Sequence, residues 1–235
     1  GTTAVSAVNG VATFTDLHID KAGTGYTLTA SSGSLNSAVS SSFDVSAAAA
    51  SKLVITGEPS TTAAGEAFGT QPVVQIQDAY GNVITLSAVS VTASITSDTG
   101  TSGATLSGST TVGASSGVAT FSGLSIDKAG SGYTLTFSSS GLTSAVTAEF
   151  SILSASASAL AFSVQPTGGG AGDTSALNTT VVITDNLGNV VTDASSEITI
   201  AITSGTGDSS AELLGTATIT ATNGVAVFDA VRIET

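Results

Sequence analysis

Two stretches near the middle of the chain decide its reading: Gly117-Val118-Ala119-Thr120-Phe121 and, shortly after, Ile126-Asp127-Lys128-Ala129-Gly130-Ser131-Gly132-Tyr133-Thr134-Leu135-Thr136. The first recurs as Gly10-Val11-Ala12-Thr13-Phe14 and as Gly224-Val225-Ala226-Val227-Phe228, each time displaced by 107 residues. The second recurs as Ile19-Asp20-Lys21-Ala22-Gly23-Thr24-Gly25-Tyr26-Thr27-Leu28-Thr29 at the same displacement. Working outward, Asp78-Ala79-Tyr80-Gly81-Asn82-Val83 matches Asp185-Asn186-Leu187-Gly188-Asn189-Val190, and Pro59 matches Pro166, again 107 apart and with no insertion anywhere. Solenoid units of ~20–50 residues lean on their neighbours, whereas this period fits a unit that buries its own core. Small-residue stretches at 46–51 and 154–158 mark the boundaries. The chain then divides into the C-terminal part of a repeat at 1–46, a complete repeat at 47–153 and the N-terminal part of a repeat at 154–235. That division predicts a piece cut from a longer array.

Inside the complete repeat the apolar period is two. Leu53 and Ile55 alternate with polar neighbours, Val74 and Ile76 with Gln75 and Gln77, and Val91, Ala93 and Ile95 with Thr92, Ser94 and Thr96. Further strands fall at 118–121, at Tyr133, Leu135 and Phe137, and at 146–152. The third repeat holds the same phase at Leu160, Phe162, Val181, Ile183, Ile198, Ile200 and Ile202, which predicts one buried face with a repacked interior. About seven short strands in about 100 residues, separated by turn signals, predict an all-β fold of tandem immunoglobulin-like Greek-key β-sandwiches.

Composition supports secretion and limits partners. Apolar residues make up 41%, aromatics 5% and charged residues 9%, so Ser, Thr, Ala and Gly must cover the surface, which suits strands better than helices. Four basic residues against seventeen acidic ones give a formal charge of −13, which repels nucleic acid and anionic membrane. No apolar run approaches the ~20 residues of a membrane span. With no cysteine, neither disulfides nor thiolate metal sites are available, and stability must come from packing.

The turn signals have distinct jobs. In Asp78-Ala79-Tyr80-Gly81-Asn82 the Asp caps a tight turn and Gly81 takes the left-handed position, as Asp185 and Gly188 do one period later. Asn9-Gly10 and Asn223-Gly224 are hairpin signals that require positive φ, with Ser116-Gly117 in their place in the middle repeat. The run from Asp127 through Gly132 to Tyr133 looks like a tyrosine corner, in which a Tyr early in a late strand bonds back to upstream backbone. Asp20, Gly25 and Tyr26 stand at the same places in the first repeat. Taken together, Leu53-Val54-Ile55, Pro59, Gln75-Ile76-Gln77-Asp78-Ala79-Tyr80-Gly81-Asn82-Val83, Gly117-Val118-Ala119-Thr120-Phe121 and the Ile126–Tyr133 run resemble bacterial immunoglobulin-like repeats of the invasin and intimin type. The resemblance covers essentially the whole chain. It implies tandem sandwiches serving as spacers in large adhesins, surface-layer proteins or extracellular fibres.

Candidate chemistry is sparse. His18 is the sole histidine and Ser125 replaces it one period on, so no Ser-His-Asp arrangement can recur and no catalytic residue is assigned. Gly23-Thr24-Gly25 and Gly130-Ser131-Gly132 lack the Lys-Ser/Thr and helix of a phosphate loop. Asp78 and Asp185 are the calcium candidates, each an isolated carboxylate in a turn and better read as a cap. Asp173, Asp193, Glu197 and Asp208 form a loose acidic group in the third repeat. Lys52 would be the donor of an internal isopeptide link, but Ala159 replaces it. Asn178-Thr179-Thr180 is a glycosylation sequon without a counterpart at Gln71.

No cofactor is therefore expected, and the expected partners are neighbouring repeats of the same chain or other copies in a fibre. The expected role is structural: a stalk or fibre unit at the cell surface or in the extracellular space. Two alternatives are an adhesin module whose loops bind a glycan, a host protein or ice, and a non-catalytic spacer of a secreted enzyme. The loop difference between 98–108 and 205–215 would suit the former.

Overall fold

The computed structural model describes residues 1–168 and 177–234. All its regular elements are strands, and among the described residues no helix is long and apolar enough to cross a membrane. Residues 1–46 carry β1 (Gly23–Tyr26), β2 (Thr29–Ala30), β3 (Ala38–Val39) and β4 (Phe43–Val45). The complete unit opens with β5 (Lys52–Gly57), β6 (Thr62–Ala63), β7 (Val73–Gln77), β8 (Ser90–Ile95), β9 (Leu106–Ser107) and β10 (Thr111–Gly113). It closes with β11 (Val118–Thr120), β12 (Ser125–Ile126), β13 (Gly130–Tyr133), β14 (Leu135–Ser138), β15 (Ala145–Val146) and β16 (Phe150–Leu153). The last part carries β17 (Ala159–Val164), β18 (Thr179–Thr184), β19 (Glu197–Thr199), β20 (Glu212–Leu214), β21 (Thr218–Thr220), β22 (Val225–Phe228) and β23 (Arg232–Glu234).

In the complete unit one sheet runs β11-β7-β5 and the other β10-β8-β14-β15, extended by β13-β16-β6 because β13 leads into β14 and β15 into β16. This is a Greek-key sandwich of the immunoglobulin type. The roughly seven strands expected from the sequence are more numerous and shorter here, for identifiable reasons. Buried Pro59 has no N–H to give a ladder, so the first strand breaks there. Before the break β5 pairs antiparallel with β7; after it β6 pairs parallel with β16 in the opposite sheet. The run 130–138 is interrupted where Thr147 exchanges bonds with Leu135, its Oγ1 accepting from the Leu135 amide and its own amide donating to the Leu135 carbonyl.

Alternation does place the core. Val74, Ile76, Val91, Leu135 and Phe137 have no exposed surface, and Phe121 meets Phe137 at 5.0 Å between ring centroids. Tyr133 and Phe68 both pack around Phe150, with ring centroids at 6.0 and 5.5 Å. In the third unit the expectation of one buried face fails in part. Val181, Ile183 and Ile198 are buried, but Leu160 is 57% and Phe162 48% exposed, against 4% for the equivalent Leu53. Leu53 packs in a core that β14 and β16 help to build, and the cluster around Val181 has no counterpart of those two strands among the described residues. Likewise Phe14, Ile19, Leu28 and Phe43 in residues 1–46 are exposed.

Candidate inter-repeat junction

The turn after β7 is built on one carboxylate. Asp78 Oδ1 accepts the amides of Tyr80 (2.9 Å) and Asn82 (2.8 Å), while Oδ2 accepts the Asn82 side-chain amide (2.8 Å) and the Ala48 amide of the inter-repeat linker (3.0 Å). Gly81 takes φ 85°, which lets the chain close with its N–H on the Asp78 carbonyl at 3.2 Å. Burial of Asp78 would raise its carboxyl. The bonds from the Asn82 side chain and from the Asn82, Ala48 and Tyr80 amides outweigh burial and hold it down at about 2. Asp185 repeats the arrangement with Leu187, Asn189 and Ala155, and is likewise held below 3.8.

Asn82 carries the arrangement across to the preceding unit. Its Nδ2 donates to the Asp20 carbonyl (2.8 Å) and its Oδ1 accepts the Ala22 amide (3.0 Å), so one side-chain amide pairs with backbone on both sides of Lys21 as a strand would. The surroundings fix the amide's orientation, since Nδ2 faces two acceptors and Oδ1 faces a donor. The Lys21 ammonium adds a bond to the Tyr80 carbonyl at 3.0 Å. One period on, Asn189 Nδ2 donates to the Asp127 carbonyl (2.9 Å) and its Oδ1 accepts the Ala129 amide (2.9 Å). Leu187 lies against Gly65 of the complete unit, where an added Cβ would come within 2.8 Å of its Cδ1.

The other half of the contact is the corner itself. The Tyr133 hydroxyl donates to the Lys128 carbonyl at 2.8 Å, and Tyr26 donates to the Lys21 carbonyl at 3.1 Å. Gly132 and Gly25 hold φ 72° and 73° at the bends. Successive peptide groups of 127–129 thus face opposite ways: Lys128 O inward to the tyrosine, Asp127 O and Ala129 N outward to the next unit. Thr101 Oγ1 donates inward to the Ala129 carbonyl at 2.6 Å. Asp127 also caps the loop ahead of β9, accepting the Thr105 amide at 2.7 Å. Read from the sequence, the turn and the corner are separate fold signals; in the structure they are the two faces of one joint. Asn82 and Asn189 are its missed members, and their recurrence at the period was the available signal. Changing Tyr133 to Phe is expected to cost about 0.5–1.5 kcal/mol, read by urea denaturation, with more lost if the Lys128 carbonyl stays unpaired.

The remaining candidates do not converge. His18 is exposed, with Nδ1 3.2 Å from the Asp16 carbonyl oxygen, and its counterpart Ser125 lies on β12. Asp193 lines a cleft of about 750 Å³ at the second junction, Glu197 stands on β19, and Asp208 bonds Ser210. Asp173 lies outside the described residues. Among the described residues no group of three His, Asp or Glu side chains is placed to hold a metal. Lys52 sits in the ladder opposite Gln77, and Asn178 precedes β18 with φ 39°.

No protein-family model matches the chain, and no curated protein matches it. Solved structures similar to it include the following two. One is the Escherichia coli adhesin FdeC, 21% identical, covering 82% of this chain and 59% of that one, with a TM-score of 0.40. The other is a glycosyl hydrolase family 2 member from Bacteroides cellulosilyticus, 16% identical, covering 51% of this chain and 16% of that one, with a TM-score of 0.33. The chain thus spans less than two thirds of either.

Proposed function

We propose that the chain is a structural segment of a long extracellular or cell-surface protein of the invasin and intimin type, in which sandwich units joined head to tail form a stiff stalk or fibre used in adhesion or surface architecture. The observation that carries this is the joint made twice with the same atoms, Asn82 on Asp20 and Ala22, and Asn189 on Asp127 and Ala129. A chance contact between flexibly tethered units would not recur at the repeat distance. Each joint also ties down the linker, through Ala48 on Asp78 and Ala155 on Asp185, so both routes by which the units could swing are restrained. Four N–H groups already fill the acceptor sites of the Asp78 carboxylate, which supports a joint made without calcium. No catalytic role is proposed: the single histidine is exposed, and its one polar contact is the Asp16 carbonyl.

The test is small-angle scattering of the 235-residue chain beside its Asn82→Ala, Asn189→Ala double variant. The wild type is expected to scatter as a rod with one fixed maximum dimension, unchanged by EDTA. The variant is expected to broaden into an ensemble of bent forms, with a modest fall in melting midpoint because each Asn also bonds the Asp of its own turn. Identical scattering curves would refute the stiff-stalk reading.

A further inference from the structure

The opening strands of the complete unit are bonded in parallel to its closing segment at two separate places, once to Thr143 just ahead of β15 and once to β16. At the start of β5, the Thr143 amide donates to the Ser51 carbonyl and the Leu53 amide donates to the Thr143 carbonyl, both at 2.9 Å. Past Pro59, β6 pairs with β16 through Ile152 opposite Thr62 and Leu153 opposite Ala63, and the Ala64 amide donates to the Leu153 carbonyl at 2.8 Å. The chain enters the unit just before the first place and leaves it just after the second.

That placement fixes how tension would act. A pull from the preceding unit drags the start of β5 backward along its own axis, while a pull from the following unit drags the end of β16 forward. Parallel neighbours drawn in opposite directions slide, and all the bonds between them are loaded together instead of one after another. The antiparallel pairs behind them, β5 with β7 and β14 with β15, bear little of the pull until these bonds fail.

We propose that the two parallel patches are a shear clamp that makes each unit resist extension along the chain much more strongly than separation across it. The biological use of such a clamp rests on the stalk reading, but its mechanics do not, and the two fail separately. The joint variants above are expected to alter bending and leave the unfolding force of the unit unchanged.

The chain has no cysteine, so handles can be placed at will. Ala49, Ser144 and Ser156 are all exposed. Single-molecule pulling of the full chain through Ala49→Cys with Ser156→Cys loads the clamp along the strands. Ala49→Cys with Ser144→Cys loads it crosswise, so that the bonds at Ser51, Leu53 and Thr143 open in succession. Matched thermal midpoints of the two variants establish that both fold, and the length of chain released identifies the unit that breaks. The lengthwise force is expected to exceed the crosswise force by about twofold or more, because several bonds must fail at once. Equal forces, or a larger crosswise force, would overturn the clamp.

Discussion

Replacing Gly108 by valine is expected to destabilise the complete unit by about 3–5 kcal/mol, a large part of what a single domain has available. Gly108 turns the chain between β9 and β10 with φ 97°, a conformation that a β-branched residue adopts only under strain. Its missing side chain is also the space through which the chain passes between Phe121 and β12. A Cβ there would run into the Gly123 carbonyl and come within 2.7 Å of the Leu124 nitrogen, all backbone that cannot step aside. Gly215 meets the Ala230 carbonyl in the same way one period later. Gly141, with φ 76° and open space around it, separates the two effects: valine there carries only the backbone strain. Hydrogen exchange over 133–137, with urea midpoints, reads both variants. A Gly108 variant no weaker than the Gly141 one would show that the close approach has been misjudged.

Acid is expected to release the joints while they are otherwise insensitive to pH. Asp78 has its carboxyl held at about 2, below the ordinary 3.8 it regains on unfolding, so the ionised form is the one the fold stabilises. That stability is complete above pH 3.8 and is lost as the pH falls through about 2. Asp185 shifts in the same direction by the same bonds and adds to it. Fluorophores on neighbouring units should report a constant distance from pH 8 to about 4 and a broadened one near pH 1.5. A transition centred near neutral pH would mean that another group governs the joint. Addition of salt tests the same point from a different side, because the principal contacts use neutral amides and not ion pairs.

The fold was open to reading because its determinants are local. Alternation at Val74–Gln77 and Ser90–Ile95, positive φ at Gly117 and Gly81, and the hydroxyl of Tyr133 depend on neighbours within a few residues or on the repeat itself. What escaped depends on contacts across long separations. Nothing near Pro59 says that the strand after it will find a parallel partner at 150–153. Nothing within Asp78–Asn82 says that the amide of Asn82 will close on backbone some sixty residues earlier. The apolar residues of the third unit show the converse limit. The alternation at Leu160 and Phe162 states which side should be inside, and only the presence of the covering strands puts it there.

The joint reads main chain. Asn82 and Asn189 touch a carbonyl and an amide on either side of a lysine; the Lys21 side chain adds one bond at the first joint, and the Asn bonds themselves use only backbone. At the position of Asp127 the third unit has Glu234, and the carbonyl it offers is the same group. A unit copied in place therefore brings its own plug and its own socket, whatever drift its surface has undergone. Gene duplication or unequal crossing-over in whole periods would alter the copy number, and so the reach of the protein, without any new interface having to arise.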